Sequence, residues 1–89
     1  MNVRDTMRTL LGERIGMLRL SYVEVARRTE ALGLKVSASY VARVEKGQAW
    51  PTPERWDVLL AALELTPAQF FRCCAGDPWP RKAPGSRSQ

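Results

Sequence analysis

The chain contains no histidine. This removes at once the commonest general acid–base and the commonest metal ligand. Its two cysteines, Cys73 and Cys74, are adjacent, a poor geometry for bonding to each other, and no Cys-x-x-Cys or histidine partner completes a zinc site. They read as ordinary reduced thiols in a terminal helix, with an intermolecular or redox role as the lesser alternative. There is also no phosphate-binding glycine loop, no nucleophile beside a base and no paired-carboxylate arrangement in an evident pocket, so no catalysis, cofactor or metal is expected. No window of about 18 uninterrupted apolar residues occurs, which argues against a membrane span. The N-terminus mixes acids with bases and lacks the apolar stretch of a secretory signal, so a cytoplasmic location is expected. Alternating strand patterns and internal repeats are missing too.

What is there is short and basic. Eighty-nine residues make one small domain that buries about 60–65% of its unfolded surface, so stability is modest unless the chain dimerises. Lys and Arg number 14 against 9 Asp and Glu, a net charge of +5. That balance favours polyanionic partners, nucleic acid first and anionic membrane second.

Apolar residues recur at helical steps. Val3, Met7, Leu10, Leu11, Ile15 and Leu18 form one stripe from Val3 to about Arg19; Gly12 and Gly16 weaken that helix, and Gly16 marks either its early end or a close approach by a neighbour. Ser21 and Glu24 then match a capping box. The second helix turns Val25, Ala26, Thr29 and Leu32 inward, with Arg27, Arg28 and Glu30 as a solvated face (weak phosphate steering being the alternative for the arginines) and Gly33 as its C-cap. The stretch from Val36 to Gly47 predicts a third, short helix with Ser37 as N-cap. Val41 and Val44 share one face, and Ala38, Ser39 and Arg43 the other. Thr52-Pro53 opens a fourth helix burying Trp56, Leu59, Leu60 and Leu63, and Thr66 with Gln69 caps a fifth that runs through Phe70 and Phe71 to about Cys74. The expected organisation is an all-α domain of five helices over residues 1–75, followed by a flexible, basic Pro/Gly/Ser-rich tail over 76–89.

The third helix has the layout needed to read DNA. A major groove admits one helix, phosphates are met by helix starts and cations, and base edges need donors from a few side chains. Arg43 is placed for a bidentate pair with guanine, Ser37 and Ser39 for a base edge or phosphate, and Ala38 for a thymine methyl. Tyr40 reads equally as a half-buried spacer or a contact. Trp50 plugs the edge of the core, with stacking on the sugar-phosphate backbone as its alternative.

Several stretches together carry a resemblance: Leu11-Gly12-Glu13-Arg14-Ile15, Leu18-Arg19, Ser21 to Ala26, Val41-Ala42-Arg43-Val44-Glu45-Lys46-Gly47, and Pro51-Thr52 through Phe70-Phe71. Over about residues 10 to 71 the chain resembles the Cro/CI (Xre) type of helix-turn-helix, a lambda-repressor-like fold. The resemblance implies that helices 2 and 3 form the motif and that helix 3 lies in the major groove. It places Tyr22, Lys46 and Gln48 at phosphate-contact positions, Tyr22 standing where the family often has Gln. It also implies a structural ion pair between Arg19 and Glu45, with Arg14 as the other candidate partner. Two departures stand out: the link between helices 1 and 2 is about four residues shorter than usual, and helix 2 with its turn into helix 3 about five longer. The longer connection, with its Ser-Ala-Ser-Tyr, is similar to that of EspR-type nucleoid-associated regulators.

Two functions follow as expectations. One is a sequence-specific regulator of double-stranded DNA, a repressor more than an activator, acting as a homodimer through Phe70, Phe71 and Trp79. The other is a protein-interaction module of the same fold, an antitoxin or adaptor whose C-terminal segment meets a protein partner. Binding through several phosphates weakens steeply with salt, and a protein contact does not.

Overall fold

The structure, a computed structural model, describes residues 2–79. Five helices account for it: α1 (Val3–Met17), α2 (Tyr22–Ala31), α3 (Ala38–Glu45), α4 (Pro53–Ala62) and α5 (Pro67–Cys74). No strand occurs among the described residues, and none of the helices is long and apolar enough to cross a membrane.

Each helix starts and stops by local chemistry. Asn2, Ser21, Ser37, Thr52 and Thr66 each accept, through a side-chain oxygen, the amide three residues on, and the capping boxes of α2 and α5 are complete. At the far ends the chain turns into the left-handed region at Arg19, Gly33, Gly47, Glu64 and Gly76. The following amide then closes each turn on the fifth carbonyl back, as Gln48 does on Arg43 at 2.7 Å and Leu20 on Ile15 at 3.2 Å. Arg19 (φ 56°) and Glu64 (φ 65°) adopt this conformation despite carrying a Cβ, at a cost of about 1–2 kcal/mol each.

One core joins the five helices. Met7, Leu11 and Ile15 of α1 meet Val25 of α2, Val41 and Val44 of α3, and Trp56, Leu59 and Leu60 of α4; Val36, Leu63, Leu65 and Phe70 close it. Ala49 and Trp50 pack against its edge, Trp50 standing edge-on to Trp56 at 5.3 Å.

Several expectations change here. Gly16 neither ends α1 nor meets a neighbour; the close approach is at Gly12. Leu32 is 54% exposed, because α2 stops at Ala31 and Leu32 is its C-cap, and Val3 is 71% exposed at the first position of α1; Val36 is buried where the chain returns to the core. The buried Thr29 hydroxyl fixes that return, donating to the Ala26 carbonyl at 2.7 Å and accepting from the Val36 amide at 2.9 Å. Arg28 is not simply a solvated cation: it donates to the Ala62 carbonyl at 2.9 Å and pairs with Glu64 at 3.4 Å, tying α2 to the end of α4.

Phe70 is fully buried, 5.7 Å from Trp56, so it is not available as a dimer surface; α5 folds back on α1 and α4, and that ring fills the space between them. Phe71 beside it is 55% exposed. Trp79 is half-buried on the core with the Arg14 guanidinium 5.5 Å over its ring, and the Cys73 thiol donates to the Pro78 carbonyl at 3.6 Å. Residues 76–79 of the expected flexible tail therefore lie on the domain; 80–89 fall outside the described residues. Burial raises the pKa of the Cys73 and Cys74 thiols and keeps them protonated.

Candidate nucleic-acid interface

α3 is fixed from behind. Val41 and Val44 anchor its inner face in the core, and Glu45, on the flank toward α1 and α2, accepts a hydrogen bond from the Tyr22 hydroxyl. That carboxylate lies against the backbone of Gly12: a Cβ there would collide with its oxygen and stand 2.9 Å from its Cδ. From α1, Arg8 donates to the Glu45 carbonyl at 3.3 Å while pairing with Asp5 at 3.1 Å. So α1 and α2 hold the last turn of α3, and Ser37 caps its first turn through the Tyr40 amide at 3.2 Å.

These contacts correct two expectations. No Arg19–Glu45 ion pair forms: Arg19 lies exposed in the left-handed turn after α1, and Tyr22 takes its place at the carboxylate. Arg14 does not substitute either, since its Nε donates to the Leu63 carbonyl at 3.0 Å. The proton of Tyr22 is thereby committed inside the domain, not offered to a phosphate. The bond to Glu45, and secondarily burial, raise its phenol pKa.

The outer face of α3 is open. Ser39, Arg43 and Lys46 are exposed and fall at four- and three-residue steps, hence on one side of the helix. Ser37 is exposed at the leading end, with its hydroxyl 3.4 Å from that of Ser39. Ala38 is half-buried on the flank facing α2, where it lines a cleft with Val23, Ala26 and Arg27. Tyr40 occupies the opposite flank, with the Arg43 guanidinium 5.5 Å and the Arg55 guanidinium 5.0 Å from its ring centre. Gln48 is exposed beyond the end of α3, in a depression shared with Asn2, Arg4 and Arg8. Arg4 covers one face of Trp50 at 4.6 Å.

An exposed helix with hydroxyls and a guanidinium, braced from behind by two others, is the arrangement that enters a groove of DNA. Residues 10–70 match the family model described as a helix-turn-helix domain, a span that covers most of the chain and takes in α2, α3 and α4 in full with about half of α1 and of α5. The chain belongs to the helix-turn-helix domain family. No curated protein and no solved structure matches it.

Within this helix-turn-helix domain, two cations beside α3 escape a reading of the third helix alone. Lys35 precedes the Ser37 cap, and Arg55 reaches Tyr40 from the first turn of α4. Arg55 carried one legible signal: a cation in the first turn opposes the helix dipole.

Proposed function

We propose that this helix-turn-helix protein is a sequence-specific DNA-binding transcriptional regulator of the Cro/CI (Xre) type, with an EspR-like lengthened connection, that inserts α3 into the major groove. The observation that carries the proposal is the division of α3 between an inner side held by Val41, Val44 and Glu45 and an outer side exposing Ser39, Arg43 and Lys46. Arg43 reads guanine, Ser39 and Ser37 meet a base edge or phosphate, Ala38 a thymine methyl, and Lys46 and Gln48 the backbone. One such helix covers too few base pairs to be selective. The protein therefore acts as a homodimer on half-sites about 34 Å apart, pairing through the apolar surface where exposed Phe71 borders a groove lined by Met7, Pro53, Trp56, Leu60 and Pro67. Repression is the favoured outcome, in a cytoplasmic, nucleoid-associated setting.

Selection of bound oligonucleotides from a random pool, followed by titrations on selected and scrambled sites, tests this reading. Arg43→Ala is expected to lower specific affinity by about 1–3 kcal/mol and relax one base position, while Lys46→Ala weakens all sequences alike. Equal losses on both sites for Arg43→Ala remove it from the reading set. The second reading, a module of the same fold whose main partner is a protein, draws on the exposed Val23, Leu32 and Leu34 around α2; absence of salt-dependent DNA binding favours it.

A further inference from the structure

The rim between α3 and α4 gathers Lys35, Ser37, Tyr40 and Arg55 around one depression. Two features of Arg55 call for an explanation. It sits in the first turn of α4, where the positive end of the helix dipole disfavours a cation. It also shares the Tyr40 ring with Arg43, so two guanidiniums centred 5.0 and 5.5 Å from one ring repel each other. Both effects are offset in part by the cation–π contacts and by Glu54 in the same turn, and an anion held in the rim offsets them further. The other groups there agree with an anion: Lys35 is cationic and exposed, and the Ser37 hydroxyl lies at the start of α3. Glu45, the acid of α3, is on the opposite flank against Gly12 and Tyr22.

We propose that this rim is a binding site for a DNA backbone phosphate flanking the groove that α3 enters, with Arg55 as the contacting cation and Tyr40 as the residue that positions it. The inference rests on the DNA-binding reading above and adds to it a contact from outside the two-helix motif. α4 thereby takes part in recognition, and the cation-bearing rim extends the α3 surface on its Tyr40 side. Tyr40 acts through its ring rather than its hydroxyl, because the ring is what both guanidiniums face.

The test is a series of salt titrations of DNA binding with the full chain, on a selected and a scrambled site. Arg55→Gln is expected to weaken both sites about five- to tenfold and to reduce the slope of log affinity against log salt by about one. Arg72→Gln, an equal loss of charge on α5, leaves the slope at the wild-type value. Tyr40→Phe behaves as wild type; Tyr40→Leu lowers the slope as Arg55→Gln does, and lowers it no further when combined with Arg55→Gln. Circular dichroism melts check that each variant folds, and if Tyr40→Leu does not, Arg55→Gln and Tyr40→Phe decide. A wild-type protein with no salt-dependent DNA binding overturns the functional reading itself. A wild-type protein that binds, with Arg55→Gln matching wild type in slope, overturns only the rim. A loss of slope in Tyr40→Phe assigns the contact to the hydroxyl and overturns the positioning role.

Discussion

α3 and α5 are both eight-residue helices, and the domain holds them by different chemistry. α3 is located by directional polar contacts on its last turn and at its approach: Tyr22 on Glu45, Arg8 on the Glu45 carbonyl, Thr29 on the Val36 amide. α5 is held mainly by burial, with Phe70 against Trp56 at its centre. Burial is nearly indifferent to orientation, whereas hydrogen bonds fix it. On the proposed reading, the helix that presents side chains to DNA is the one whose aim is fixed by directional bonds in addition to the burial of Val41 and Val44, whereas α5 is held mainly by area.

This contrast can be broken first at its apolar end. Phe70→Ala is expected to cost about 3–5 kcal/mol, a large part of the stability of so small a domain, seen as a lowered urea midpoint. A loss below about 1 kcal/mol would mean that α5 contributes little. Tyr22→Phe probes the other end, removing the donor to Glu45 while keeping the ring. It is expected to cost about 1 kcal/mol but to shift the amide resonances of the last turn of α3 and weaken DNA binding more than that figure implies. Unchanged α3 resonances would show that the phenol does not set the helix. The smallest effect belongs to neither end: Arg19→Gly relieves a left-handed non-glycine residue and is expected to raise stability by about 0.5–1 kcal/mol in the same urea titration, leaving DNA affinity unchanged.

The sequence disclosed what is local. Caps at Ser21, Ser37, Thr52 and Thr66 bond within three residues, so their chemistry is written in adjacent letters, and the inward stripes of α4 and of α1 beyond Val3, which is 71% exposed at the helix start, follow from one helical period. It was silent where partners are distant in the chain. Arg19 was a reasonable match for Glu45 by charge, but a hydroxyl 23 residues away took the carboxylate because α2 carries it there. Phe70 and Phe71 look alike as letters, and each has a cysteine three residues on, so which ring turns in depended on how α5 packs on α1 and α4. At the candidate site, the exposure of Ser39 and Arg43 was legible from the period of α3, which also put Ala38 outward although it lies half-buried toward α2; Lys46 was placed by the family resemblance, and the approach of Arg55 depends on how α4 crosses α3.

The Thr29 hydroxyl bonded to the Val36 amide has a consequence for the long link between α2 and α3. Residues between those two positions form a loop closed at its base, so added length there bulges outward without dragging on α3. Doubling such a loop costs only about 0.6 kcal/mol in closure entropy. The turn after α2 can thus grow or host a grafted peptide ahead of Lys35 while the helix beyond keeps its aim.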